Sequence, residues 1–219
     1  MADNTSNKIY RKDYIKSIFC CPKISLEIKL NLDKTIVTNI MTITPNIAKV
    51  KSNSKLLLNG ENIDLVVLKI NGEKFEQYIL NKTALIIPNY KNLFDASFKI
   101  EIHTSCSPKA NKALKGLYIS NDIFVTQCEA EGFRNITYAL DRPDIMSVYQ
   151  VKLIAKKDTC PVLLSNGNLI KKEDLDSGFH SATWVDPFLK PSYLFALVAG
   201  KLSCNERKYK TLSGHKKLL

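Results

Sequence analysis

The chain has 219 residues, of which 45% are hydrophobic, and it carries a formal net charge of +11. A folded chain of this length buries about 70% of the surface of its unfolded form, so a globular protein is expected. Lysine outnumbers arginine by 28 to 4. Proteins that bind nucleic-acid phosphates and bases rely on the guanidinium group of arginine. The scarcity of arginine therefore argues against a nucleic-acid partner, despite the positive net charge. Drift of the composition toward Lys, Ile and Asn explains the positive net charge better than a functional basic surface does.

Membrane and disulfide-bonded classes are also disfavoured. The amino terminus is polar and basic without an apolar run, so no signal peptide is indicated. The longest apolar stretch, residues 193–199, is far too short to cross a bilayer. The six cysteines show no C-x-x-C spacing, which favours reduced and mostly buried thiols over disulfides or a structural zinc site. The sequence therefore predicts a cytoplasmic protein with no membrane partner.

Three segments show the two-residue hydrophobic period of β-strands. Alternation of apolar and polar residues is typical of a strand with one buried and one solvated face. The apolar positions are Ile24, Leu26, Ile28, Leu30 and Leu32 in the first segment, Phe98, Ile100 and Ile102 in the second, and Tyr149, Val151, Leu153 and Ala155 in the third.

Turn signals separate such runs. Asn71-Gly72 lies between two apolar runs and predicts a type I′ hairpin, because both residues tolerate positive φ angles. Asn59-Gly60 and Asn166-Gly167 also predict hairpin turns, although the apolar runs on either side of them are weaker. Residues 108–117 favour a short helix or turn that ends at Gly116. Since no segment shows convincing helical periodicity, the expected fold class is all-β, with an antiparallel saddle- or sandwich-like architecture.

The run TQCEAEGFRNITYALDRPD, residues 126–144, carries the most distinctive chemistry. Gln127, Glu129 and Glu131 are spaced by two, which in an extended strand places all three side chains on one face. Such a face fits a hydrophobic core poorly. It fits a cation well, and the free amino end of a peptide is one such cation.

This run and five others resemble the bacterial aminopeptidase N family of zinc metallopeptidases. The other blocks are YRKDY (10–14), LLLNGENIDLVVLKINGE (56–73), ANKALKGLYIS (110–120), PVLLSNGN (161–168) and DPFLKPSYLFALVAG (186–200). The resemblance implies that residues 1–200 form the amino-terminal β domain of that family. Residues 201–219 then correspond to the opening segment of a thermolysin-like catalytic domain, cut off partway along it. We expect residues 208–219 to be frayed or packed opportunistically.

The zinc site of that family is not encoded here. It needs H-E-x-x-H on a helix, so that two imidazoles one turn apart reach the metal. The three histidines, His103, His180 and His215, are far apart in sequence, and none precedes a glutamate. The family's G-x-M-E-N segment is absent as well. The resemblance therefore implies zinc as a cofactor of full-length members, no cofactor in this chain, and no peptidase activity of this chain alone.

The same resemblance implies that Glu129 binds the α-amine of the substrate. It also implies that Gln127 lines the pocket for the side chain of the first substrate residue. An ionised carboxylate in a half-buried cleft would offer the ammonium group a charge-assisted hydrogen bond. Family members also carry a cis peptide bond at the position of Glu129-Ala130.

Four further residues are expected to support the site structurally. Glu131 is expected to pair with Arg134 or Arg142 more readily than it contacts substrate. The turn at residues 141–144, which includes Asp141, is expected to hold the Glu129 strand in place.

Two other interpretations stay open beside a substrate-anchoring domain that binds a peptide amino terminus together with a catalytic domain. One is a non-catalytic interaction module that pairs with a separately encoded catalytic chain. The other is the remnant of a split or decayed gene.

Overall fold

Strands make up most of the regular structure in residues 10–218, which are the residues that the computed structural model describes. The strands are β1 (Phe19–Lys29), β2 (Thr35–Pro45), β3 (Lys55–Asn59), β4 (Asp64–Ile70), β5 (Glu73–Lys74), β6 (Ile79–Leu80), β7 (Ala84–Pro88), β8 (Phe98–Cys106), β9 (Gly116–Ser120), β10 (Ile123–Gln127), β11 (Ser147–Lys156), β12 (Val162–Ser165), β13 (Asn168–Asp174), β14 (Phe179–Lys190), β15 (Leu197–Gly200), β16 (Lys208–Lys210) and β17 (Lys216–Leu218).

Short 3₁₀ segments are the helical structure in this part of the chain. They are Arg11–Asp13, Ile47–Lys49, Tyr90–Asp95, Phe133–Asn135, Asp176–Gly178 and Ser192–Leu194. Within the described residues, none of the helices is long and apolar enough to span a bilayer. The expected all-β fold class is confirmed.

An eight-stranded sheet forms the largest element, in the order β13-β14-β11-β1-β2-β8-β4-β5. Its pairings are antiparallel with one exception, since β1 and β11 run parallel, with Ile24 facing Tyr149 and Ile28 facing Leu153. The expected antiparallel pairing thus holds in this sheet at every pair of strands except this one. The connection between the two strands is long enough for the chain to return in the same direction, which a parallel pair requires.

The predicted alternation holds along the three strands at the centre of this sheet. The apolar positions of β1, β8 and β11 are all buried: Ile24, Leu26, Ile28, Phe98, Ile100, Ile102, Tyr149, Val151, Leu153 and Ala155. Leu30 is buried just beyond the end of β1, whereas Leu32 is 42% exposed. The first prediction thus extended too far, because the chain turns after Lys29 toward β2.

Three smaller sheets complete the fold, in the orders β12-β15-β10-β9, β3-β7-β6 and β16-β17. The Asn71-Gly72 hairpin is confirmed: β4 pairs with β5, and φ is 51° at Asn71 and 91° at Gly72. The other two Asn-Gly pairs do not close hairpins. Asn59 ends β3, which pairs with β7, and Asn166 links strands of two different sheets. Residues 108–110 form a turn, residues 111–115 are irregular, and Gly116 begins β9.

The carboxyl-terminal residues form a hairpin that pairs only with itself among the described strands. Lys208 faces Leu218 and Lys210 faces Lys216, and the side chains of β16 are exposed. β16 has no core to pack against, and the expectation that residues 208–219 are frayed or packed opportunistically stays a prediction. Residues 1–9 and 219 lie outside the described part, and the domain boundary at residue 200 stays a prediction.

Candidate functional site

The three acceptor side chains do not share one strand face. β10 ends at Gln127, and Glu129 and Glu131 belong to the turn that follows. The prediction of a continuous strand is wrong because the amide of Gly132 donates to the carbonyl of Cys128 at 2.9 Å, which folds the backbone back. The peptide bond between Glu129 and Ala130 is cis, as the resemblance implied.

Glycine is required at the closing position of this turn. A Cβ built on Gly132 would collide with the carbonyl oxygen of Gln127 and the Cα of Cys128. Both are backbone atoms, so they cannot rotate away as a side chain would. The close approach therefore fixes the path of the backbone on both sides of Glu129.

The tip of the turn points to solvent. Gln127, Glu129 and Glu131 are exposed, whereas Cys128 is buried. The side-chain amide of Gln127 donates to the backbone carbonyl of Glu129 at 3.2 Å, so these two residues are neighbours in space. No described residue forms an ion pair with the Glu129 carboxylate. The half-buried cleft expected around Glu129 is not present, because no described segment covers this tip.

A buried ion pair lies behind the turn. Arg134 Nε donates to Asp141 Oδ2 at 2.8 Å, and Arg134 Nη2 donates to the Asp141 carbonyl at 3.0 Å. The hydroxyl of Ser192 donates to the other carboxylate oxygen of Asp141. Burial alone would lower the pKa of Arg134, but the hydrogen bond and charge of Asp141 outweigh it and raise that pKa. The guanidinium therefore stays charged, and its pair with Asp141 joins three segments of the chain.

The same guanidinium reaches two outer carboxylates. Arg134 Nη2 lies 3.3 Å from Glu131, and Nη1 lies 3.8 Å from Glu61. Glu131 therefore pairs with Arg134 and not with Arg142, the other partner expected from the sequence. The Glu131 side chain is 68% exposed, so its pairing adds little stability. Glu61 and Ser192 were not found from the sequence, since nothing local marks a residue as a distant ion-pair or hydrogen-bond partner.

Arg142 binds a different carboxylate, which lies outside the Glu129 turn. It binds both oxygens of Asp144 at 2.8 Å and donates to the carbonyl of Ile15 at 2.8 Å. Tyr14 donates to the same Asp144 carboxylate at 2.8 Å. The hydrogen bonds from Arg142 are the main reason why the pKa of Asp144 falls to about 2. Arg142 therefore fastens the amino-terminal segment, whereas Asp141 supports the Glu129 turn through Arg134.

Aromatic packing anchors the other side of the turn. Phe133 is fully buried and makes edge-to-face contacts with Phe195 and Tyr149, with ring centroids 5.2 and 6.2 Å apart. The turn is thus held from below by an aromatic cluster and an ion pair, while its carboxylate stays accessible. An accessible carboxylate on a turn whose backbone is held in place can accept a charge-assisted hydrogen bond from an ammonium group.

The described residues do not fit a zinc ion. Between residues 10 and 218, no group of three or more His, Cys, Asp or Glu side chains is placed to hold a metal. His103 Nε2 lies 2.7 Å from Glu101, and His180 Nε2 lies 2.6 Å from the Cys160 carbonyl. Each of these two imidazoles therefore has a local structural partner.

The fold and this turn belong to a known class of domain. The Peptidase M1 N-terminal domain matches residues 9–194. Among solved structures, Legionella pneumophila aminopeptidase A in complex with aspartic acid superposes with a TM-score of 0.86 at 37% identity, over 94% of this chain and 24% of that one. An M1 zinc metallopeptidase from Deinococcus radiodurans shares the fold, with a TM-score of 0.75 at 12% identity, over 93% of this chain and 47% of that one.

Sequence similarity to curated proteins indicates the same family. Aminopeptidase N of Escherichia coli (strain K12) is 43% identical over 205 residues, which cover 94% of this chain and 23% of that protein. Aminopeptidase N of Caulobacter vibrioides is 41% identical over 216 residues, covering 98% of this chain and 24% of that protein. The chain therefore belongs to the peptidase M1 family, in which it corresponds to the N-terminal domain. It spans about a quarter of the length of these curated relatives.

Proposed function

We propose that the chain is the substrate-anchoring domain of a zinc aminopeptidase resembling aminopeptidase N. In this proposal Glu129 receives the α-ammonium of a peptide substrate, and Gln127 lines the pocket for its first side chain. The observation that carries the proposal is the Glu129 carboxylate itself. It is exposed and has no ion-pair partner among the described residues, while Arg134, Asp141 and Glu131 around it are paired with one another.

A carboxylate carried by a turn with a held backbone would set the position of the amino end of the substrate. Once the ammonium group is bound to it, the first peptide bond lies at a set distance from the anchor. Bond cleavage at that distance removes one residue from the amino end, which is how positioning favours an exopeptidase reaction. The groups that break the bond would belong to a zinc domain outside this chain.

The chain alone is predicted to be inactive. After dialysis against buffer without chelator, purified chain should contain zinc far below one ion per molecule, because the described residues offer no ligand cluster. It should also fail to release p-nitroaniline from alanine p-nitroanilide. Metal analysis and a chromogenic assay test both. Stoichiometric zinc, or turnover that follows the chain through successive purification steps, would overturn this prediction.

A domain exchange tests the proposed role of Glu129. This chain would replace the matching 205-residue segment of Escherichia coli aminopeptidase N. In the active chimera, Glu129→Gln is expected to lower kcat/KM for alanine p-nitroanilide by about 10- to 150-fold, the value of a hydrogen bond to a charged group. The loss should appear because glutamine keeps the shape but removes the charge that the ammonium needs.

Glu131→Gln is the matched control for this exchange. It makes the same chemical change two residues away, on a side chain that is 68% exposed and already faces Arg134. Its effect on kcat/KM should stay within about twofold. Equal losses in the two variants would assign the effect to the general charge of the turn, and no loss in Glu129→Gln would refute the proposed role.

We also propose a cytoplasmic location. The six cysteines are free thiols in the structure, and a reducing compartment maintains thiols in that state. Fractionation of cells that express the tagged chain would test the location, and recovery outside the cytoplasm would contradict it.

A further inference from the structure

A cavity lies away from the Glu129 turn. It has a volume of about 600 Å³ and opens between the turn after β1, the β9–β10 turn and the loop after β11. Its floor is apolar and is formed by Leu30, Phe124, Ala155 and Cys160, which are all buried. This volume lies within the range of about 300–1,000 Å³ that is typical of small-molecule sites.

Two residues of opposite charge, Asp122 and Lys201, line the rim of this cavity. In the pairing of β10 with β15, Phe124 faces Ala199, and a Cβ on Gly200 would lie 3.3 Å from the Cα of Ile123. Asp122 and Lys201 are the next residues of these two segments: Asp122 lies in the β9–β10 turn, where its φ is 62°, and Lys201 follows the end of β15. Both residues line the cavity and both are exposed. They form no ion pair with each other or with another described residue.

The other charged residues of the lining already have partners. The Lys156 ammonium lies over the ring of Phe179, 5.2 Å from its centroid. Asp33 lies 3.7 Å from Lys109. One carboxylate and one ammonium group therefore remain available, and both are positioned above an apolar floor.

We propose that this cavity binds a free apolar α-amino acid. The α-ammonium group binds Asp122, the α-carboxylate binds Lys201, and the side chain packs on Leu30 and Phe124. A ligand with a single charge would form only one of these two charge contacts. A zwitterion satisfies both charges at once, and the apolar floor selects an aliphatic or aromatic side chain. This site is independent of the amine anchor proposed at Glu129.

Calorimetric titration of the 219-residue chain tests the ligand class. L-Leucine should bind with one molecule per chain and a Kd on the order of 1 mM, a modest affinity for so small a ligand. Leucinamide lacks the carboxylate and N-acetyl-leucine lacks the ammonium, so each should bind at least about tenfold more weakly. Absence of leucine binding, or equal binding of either blocked analogue, would overturn the proposal.

Variants then locate the site. Asp122→Asn and Lys201→Met should each weaken leucine binding by about tenfold or more, since each removes one charge contact. Asp33→Asn, on the same cavity wall but already facing Lys109, should change it by less than about twofold. Glu129→Gln should also leave leucine binding unchanged. Loss of binding in Glu129→Gln together with full binding in Asp122→Asn would place the ligand on the turn and refute this site, whatever the outcome of the domain exchange.

Discussion

Replacing Phe133 by alanine is expected to lower the free energy of unfolding by about 3–5 kcal/mol. The ring is fully buried against Phe195 and Tyr149. Its removal leaves a cavity beneath the Glu129 turn that the surrounding β-strands cannot close without moving. Urea unfolding followed by far-ultraviolet circular dichroism measures the change.

Phe188→Ala is the control for this substitution. It removes the same ring from a position that is 77% exposed, so the expected change is within about 0.5 kcal/mol. If the two variants lost equal stability, the aromatic cluster would not be what anchors the turn.

Replacing Asp141 by asparagine should cost about 3 kcal/mol of stability. The Asp141 side chain is 1% exposed, and it receives hydrogen bonds from Arg134 and Ser192. Asparagine leaves the buried guanidinium without its main counter-charge. We expect the lower end of the range for breaking a buried pair, because Glu61 and Glu131 still face the guanidinium. The same urea titration measures the loss.

Asp144→Asn provides the comparison for Asp141→Asn. This carboxylate is paired with Arg142, but the two side chains are 20% and 37% exposed. The pair is bidentate and its carboxylate also accepts from Tyr14, so its loss should cost about 1–2 kcal/mol, more than an ordinary surface pair but less than the loss expected at Asp141. Equal losses in the two aspartate variants would contradict the view that burial makes the Arg134–Asp141 pair important.

Much of the fold could be predicted from local patterns. Strands β1, β8 and β11 followed from their period of two, because each has one face in the core. The Asn71-Gly72 hairpin followed from its turn chemistry. The hairpins predicted at the other two Asn-Gly pairs are absent. An Asn-Gly dipeptide indicates which backbone conformation is tolerated, but it does not determine which strands pair. Pairings such as β3 with β7 depend on contacts distant in sequence.

The shape of the segment that carries the candidate site residues could not be predicted from the sequence. Spacing by two suggested a strand face for Gln127, Glu129 and Glu131, whereas the close approach of Gly132 to Cys128 turns the backbone there. Sequence periodicity cannot detect such an approach. Glu61 and Ser192 were missed for a similar reason, since they reach the Arg134–Asp141 pair from distant segments.

The most direct test of the account is the inhibition constant of the chimera for L-leucinamide and for isocaproamide, the same molecule without its amine. If Glu129 receives the ammonium group, Glu129→Gln should weaken inhibition by leucinamide about 10- to 150-fold. It should change inhibition by isocaproamide by less than about twofold, because no charge contact is lost. Equal weakening for both ligands would contradict the proposed anchor.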